Sequence, residues 1–245
     1  MKNLFISIMI ISISYLAQSQ SAYDIVDKAE NMYKGRTCKG SFTMTVVTPE
    51  FTRTVKMDSW WVGNEKALII IKSPAKEAGN KTLKIGNEMW NYLKATETTI
   101  KIPPSMMLSS WNGSDLTNDD LVRESKLTDD YDLKIIAEET IDNEMCWKLE
   151  LSPKPNAPVV WGKIYYWVKK VDNLPAILQF YDEKGSLHRT MYFSDIKTMG
   201  GRKIPTKWTI VSNKKQNNYT TFVYDNVQFD VKISDRIFSF KELEK

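Results

Sequence analysis

From Cys38 to near its end, with one interruption, this chain carries its apolar residues at every second position. Phe42, Met44 and Val46 alternate with Ser41, Thr43 and Thr45. Val55, Met57, Ser59 and Trp61 alternate with Thr54, Lys56, Asp58 and Trp60, and Thr48-Pro49-Glu50 between the two runs reads as a hairpin turn. A period of two puts successive side chains on opposite faces of a strand, so each run is a half-buried strand of an antiparallel meander. Residues 67–71 are apolar on both faces. Leu83 and Ile85 alternate with lysines, Gly86-Asn87 turns the chain into 88–94, and 98–102 follows. Strand signals resume over 131–140, 145–152, 162–171, 176–181, 188–196, 203–211 and 218–229. Asp182-Glu183-Lys184-Gly185 and Gly200-Gly201 supply further turns.

Some of these short segments should merge, which gives about eleven strands. Ahead of them, Ile25, Val26, Ala29, Met32 and Tyr33 fall on one helical stripe over 22–34, stopped by Gly35. The interruption is the stretch 103–125. Pro103-Pro104 ends a strand, and Met106, Met107, Leu108 and Trp111 follow in a Ser- and Gly-rich segment. Thr117 with Asp120 three residues on resembles a capping box, which predicts a short helix over 118–124. Strands on both sides of this stretch, with no linker or repeat, indicate one domain over residues 20–245.

Residues 1–22 form an export signal in appearance. Lys2 precedes an apolar run from Leu4 to Leu16, too short to span a bilayer, and Ala17-Gln18-Ser19 is a cleavage site. The expected product is a periplasmic protein cut near Ser19, with a signal peptide over 1–19. In that oxidising compartment Cys38 and Cys146 either pair or remain two buried free thiols, and the sequence leaves both open.

The formal net charge of +4 comes without a basic stripe, which excludes a dedicated nucleic-acid binder. A single histidine, His188, and two cysteines leave too few ligands for a zinc site and no set of base, nucleophile and orienting group. Neither a catalytic residue nor a cofactor is expected. Asn112, Ser114, Asp115, Asn118, Asp119 and Asp120 lack the ligand spacing of a calcium loop and read as turn and capping residues. Glu138, Glu139, Asp142 and Glu144 read as solvated strand-edge carboxylates. His188 and Lys214-Lys215 read as hairpin surface.

By contrast, 8 Trp, 11 Tyr and 9 Phe are heavy for a chain with so little catalytic equipment. A single sheet of this size must curl to bury its apolar face, either closing as a barrel or staying open under helices. One full helix and one short one are little material to fill it. An apolar cavity under a methionine-bearing lid is therefore expected. Its candidate lining is Met44, Val46, Val55, Met57, Trp61, Ile69, Ile71, Leu83, Ile85, Trp90, Tyr92 and Ile102, with Met106, Met107, Leu108 and Trp111 in the lid.

An ordered set of motifs resembles one family. The set comprises the first helix followed by Cys-Lys-Gly-Ser-Phe-Thr-Met-Thr-Val at 38–46, then Gly86-Asn-Glu-Met-Trp90-Asn-Tyr92 and Trp111-Asn-Gly-Ser-Asp-Leu-Thr-Asn-Asp-Asp-Leu121. It continues with Trp161-Gly-Lys-Ile-Tyr-Tyr-Trp167-Val, Tyr181-Asp-Glu-Lys-Gly185, Gly200-Gly-Arg-Lys-Ile-Pro205 and Phe238-x-Phe240. Over nearly the whole mature chain it resembles the LolA-like outer-membrane lipoprotein-sorting proteins, the LolA/LolB/RseB superfamily. The resemblance implies an incomplete antiparallel β-barrel whose concave face is capped by the N-terminal helix and a short helical lid. It implies a monomeric carrier of lipid or lipoprotein acyl chains, without catalysis, that supports transfer toward an outer-membrane acceptor.

The alternative it offers is a lipid-responsive sensor or an accessory of a resistance-nodulation-division-type permease. The family's carrier holds its lid through the arginine of a Val-Lys-Arg-Pro turn. The matching turn here is Val62-Gly63-Asn64-Glu65, without arginine, and Arg53 on a neighbouring strand is the substitute in view.

Overall fold

A computed structural model describes residues 20–122, 127–157, 159–213 and 216–245. The expected signal peptide and Lys214-Lys215 lie outside the described residues. The chain opens with helix α1 (Ala22–Lys34). The Ser21 hydroxyl accepts from the Asp24 amide at its N-terminus, and Gly35, at φ 64°, ends it. Of the stripe the spacing predicts, Ile25, Val26, Ala29 and Tyr33 are buried, whereas Met32 is only partly buried and Glu30 is buried beside them.

Six strands follow: β1 (Thr37–Val47), β2 (Thr52–Val62), β3 (Lys66–Ser73), β4 (Lys81–Ile85), β5 (Glu88–Leu93) and β6 (Thr98–Lys101). After the crossing segment, which holds short helices α2 (Asn118–Val122) and α3 (Leu127–Asp130), come seven more. These are β7 (Tyr131–Ile141), β8 (Glu144–Pro153), β9 (Lys163–Lys169), β10 (Pro175–Tyr181), β11 (Leu187–Met199), β12 (Arg202–Ser212) and β13 (Tyr219–Phe229). The tail ends in α4 (Phe240–Leu243).

Among the described residues the strands number thirteen rather than about eleven. They do not merge because left-handed residues break the chain between them. Gly63, Gly86, Asp142, Asn143, Asn173, Gly185, Gly200, Gly201 and Asn217 all sit at positive φ in the turns, a region open to Gly and Asn at little cost.

All thirteen strands form one antiparallel sheet in the order β6-β5-β4-β3-β2-β1-β13-β12-β11-β10-β9-β8-β7. The first meander runs outward from the middle to one edge. The chain then crosses to the other edge and the second meander works back until β13 pairs with β1. At that seam Gly40 is required by space: a Cβ there would stand 2.3 Å from the Asn226 carbonyl oxygen. β6 and β7 are the two edges and do not pair, so the sheet is an incomplete barrel, open on one side.

That topology explains the lid. The chain must travel from the β6 edge to the β7 edge, and residues 102–122 and 127–130 lie along that journey across the open side. α1 packs in the same opening, against α3, β7, β9 and β12. The main core lies between these helices and the concave face. It joins Ile25, Val26 and Ala29 to Met44, Val55, Ile69, Trp111, Leu149, Tyr166, Leu178 and Ile210. A separate cluster lies on the outer face, where Phe238 and Leu243 of the tail cover Leu68, Leu83 and Tyr92. Among the described residues no helix is long and apolar enough to cross a membrane.

Candidate functional site: a cavity beneath a latched lid

The pairing register lines up a row of large side chains across the concave face. Phe193 pairs with Trp208, Trp208 with Phe222, Phe222 with Met44, and Met44 with Val55. Above this row, α1 and the lid leave a cavity of about 460 Å³. Its wall includes Phe42, Met57, Trp61 and Ile69 from the first meander and Phe180, Met191, Phe193, Trp208, Phe222 and Tyr224 from the second. Tyr33 of α1 and Trp111, Leu116 and Leu121 of the lid roof it. Much of the wall is aromatic, and the rings pack on one another. Trp208 meets Tyr33 edge-on at 5.2 Å and Tyr224 at 5.5 Å, while Tyr224 meets Phe42 at 4.6 Å.

Two arginines hold the lid. Arg189 of β11, 4% exposed, donates from Nη1 and Nη2 to the two carboxylate oxygens of Asp120, each at 2.6 Å. Nη1 also reaches the Asp115 carbonyl oxygen at 3.3 Å, and the guanidinium lies 4.4 Å from the Phe180 ring centre and 4.8 Å from that of Trp161. Burial alone would push the Asp120 carboxyl up. The Arg189 charge and hydrogen bonds, with those from Thr117, outweigh it and hold the group below the usual carboxylate range. Arg53 of β2 grips the other end of the lid: Nη1 donates to the Asn112 carbonyl oxygen at 2.7 Å, while Nε and Nη2 bind the Glu77 carboxylate.

Local chemistry shapes the lid itself. The Thr117 amide and hydroxyl both donate to Asp120, and the Asp120 amide donates back to the Thr117 hydroxyl at 3.1 Å. This is the reciprocal box the sequence suggests, with Asp in place of Glu. It starts α2 at Asn118, and residues 123–126 lie outside the described residues. Trp111, 1% exposed, drops through the lid and donates from Nε1 to the Thr82 hydroxyl at 3.3 Å. Thr220 of β13 donates its hydroxyl to the Asp115 carboxylate at 2.7 Å. The oxygen-rich cluster is thus spent largely on capping, turns and lid-to-sheet bonds. Among the described residues no group of three or more His, Cys, Asp or Glu is arranged to hold a metal.

Of the candidate lining residues, Met57, Trp61, Ile69 and Trp111 reach the cavity wall. Met44, Val46, Val55 and Ile71 are buried in the same core beside it. Leu83, Ile85, Trp90 and Tyr92 pack on the outer face instead, against the tail. Thr82 bonds to the lid, so its neighbour Leu83 must point the other way. Ile102 and Met107 are buried with Met89 in a small cluster under the crossing segment. Met106 and Leu108 are 47% and 62% exposed. Both cysteines are buried and neither is in a disulfide.

Glu139 accepts from Lys148 and from the Trp167 indole and Glu144 pairs with Lys169 on the outer side of β7–β9, while Glu138 pairs with Lys170 beside Trp147 at the rim of the concave face. His188 stacks edge-on against Trp161 at 5.2 Å. The sequence reading missed the second meander's share of the wall, and Arg189. A signal was available: Arg189, Met191 and Phe193 share one face of β11, so a lone charge stands on an otherwise apolar row.

Solved structures carry the same fold. A DUF1329 family protein from Desulfovibrio piger matches with a TM-score of 0.81 at 24% identity, over 91% of this chain and 97% of its own. A LolA superfamily protein from Nitrosomonas europaea gives 0.76 at 23% identity, over 91% and 99%. A domain from Vibrio parahaemolyticus assigned to outer-membrane lipoprotein sorting gives 0.78 at 18% identity, over 92% and 100%. No curated protein matches the sequence. A family model described as an uncharacterized protein matches residues 63–245. The chain belongs to the family of that model and has the fold of these LolA-superfamily structures.

In this protein the turn that lacks arginine stands at the cavity's mouth. Gly63 and Asn64 line it opposite the end of α1. The buried Lys84 ammonium donates to the Asn64 carbonyl oxygen, which fixes the turn from β4. The lid is held from elsewhere in the sheet, by Arg53 on β2 and Arg189 on β11.

Proposed function

We propose that this protein is an exported carrier that shields the hydrocarbon of a lipid, or the acyl chains of a lipoprotein, and supports its transfer toward the outer membrane. The observation that carries the proposal is the apolar cavity of about 460 Å³ between the curled sheet and a lid held by two arginines. Burial of each methylene contributes about 0.8 kcal/mol, part of it offset by ordering of the chain. The wall is built mainly of aliphatic and aromatic side chains, which suits binding of hydrocarbon. A carrier of this kind works between a donor, either a membrane or an inner-membrane permease, and an acceptor at the outer membrane.

Native mass spectrometry and solvent extraction of the purified protein test the proposal, together with titration of a fluorescent fatty acid. Co-purified apolar ligand, or saturable one-site uptake of the probe, is the expected result. Repeated preparations free of ligand, with no uptake of the probe, would overturn it.

A further inference from the structure

We infer that the closed protein takes one hydrocarbon chain, the tail of a monoacyl amphiphile, inserted with its polar end at the mouth between the end of α1 and the β2–β3 turn. The inference rests on the carrier reading above and narrows its cargo. The first ground is volume. A methylene takes up about as much room as a water molecule in the liquid, ~30 Å³, so about 460 Å³ holds about fifteen of them. That is one common acyl chain. A second chain of the same length would need twice the space.

The second ground is the stiffness of the wall. Thioether side chains can repack around a larger guest, but the wall has few of them. Tyr33, Phe42, Phe193, Trp208 and Tyr224 are instead braced ring on ring, at centre-to-centre distances of 4.6 to 5.9 Å. One ring cannot move without displacing the next, and packed interiors resist such shifts.

The third ground is the position of the opening. Among the described lining residues, Asn31 near the end of α1 and Gly63 of the β2–β3 turn are the exposed ones, and the Gly63 amide donates to the Arg36 carbonyl oxygen just beyond α1. Lys34 and Asn64 stand beside them. The Arg189–Asp120 pair and Trp161 line the wall beneath the lid. An amphiphile therefore goes in tail first and leaves its polar end among Asn31, Lys34 and Asn64.

Calorimetric titration of the full mature protein with laurate, myristate, palmitate and arachidate tests this. Native mass spectrometry with palmitoyl-lysophosphatidylcholine and dipalmitoyl-phosphatidylcholine tests it in parallel. Affinity is expected to rise about fourfold per added methylene at most, to level off near palmitate, and to correspond to one chain per protein. The lyso lipid should be retained and the two-chain lipid lost. Met191→Trp, which narrows the cavity, should move the levelling point to a shorter chain. Equal retention of the two-chain lipid, or affinity still climbing at arachidate, would overturn the single-chain inference and leave the carrier standing. If none of these amphiphiles binds, both fall.

Discussion

Arg189 and Asp120 are 69 residues apart in sequence and form a two-pronged ion pair at 2.6 Å that ties strand β11 to the lid. The pair is the point where the two halves of the chain check each other. Asp120 caps the lid helix through Thr117, and Arg189 sits on the apolar row of the sheet beneath it. Lid shape and lid closure therefore share one carboxylate.

Breaking that pair from one side should be costly. Arg189→Met leaves the Asp120 carboxylate buried without its counter-charge, and such losses are worth about 3–5 kcal/mol. The double variant Arg189→Met/Asp120→Leu removes both charges and should recover much of the loss, less the capping contribution. Chemical denaturation of the three proteins measures both. Equal stability of Arg189→Met and the parent would show that the pair does not hold the fold.

Acid should release the same contact. Asp120 has a folded pKa below its unfolded value of about 3.9. Its contribution is therefore complete above that value and is lost as pH falls through the lower, folded one. The stability gap between the parent and Asp120→Asn should stay constant from neutral pH down to about pH 4 and narrow below it. A gap that narrows nearer neutrality would point to a different group.

Much of this architecture was legible in the residues. The alternation from Cys38, the stripe of α1 and the Thr117–Asp120 box all appear where local chemistry put them, because each depends on neighbours within a few positions. The pairing of β1 with β13 depends on no neighbour: Phe42 meets Tyr224 only after the chain has crossed the open side and come back. Periodicity sorts side chains onto two faces and does not say which face is concave. Leu83 and Tyr92 alternate as cleanly as Met57 and Trp61, yet a C-terminal tail covers them from outside. The aromatic wall of the second meander was hidden for the same reason, although the lone charge of Arg189 on an apolar row marked it.

The thiols offer a simple check on the β1–β8 geometry. Cys38 and Cys146 are buried and form no disulfide, and burial pushes the Cys146 thiol up, which further lowers its reactivity. Both should resist alkylation in the native protein and react fully in denaturant. Mobility should be the same with and without reductant. A band shift on reduction would contradict the fold in this region.

The crossing segment should separate surface from site. Met106 and Leu108 are exposed and lie outside the cavity wall, so Met106→Ser and Leu108→Ser should change stability by no more than about 0.5 kcal/mol. Fatty-acid uptake should be unchanged in both. Phe193→Asp places a charge on the wall and should abolish uptake. A circular dichroism spectrum like the parent's would confirm that it folds, and Phe193→Ser offers a milder test. Loss of uptake in the surface pair alone would move the site away from the cavity.

The central claim is that hydrocarbon lies inside the curled sheet beneath the lid. Crystals grown with a terminally brominated fatty acid test it directly through the anomalous signal of bromine. The account predicts a single bromine peak within the cavity, among Phe42, Phe193, Trp208 and Tyr224. Bromine found only on the outer surface, with the cavity empty, would contradict it.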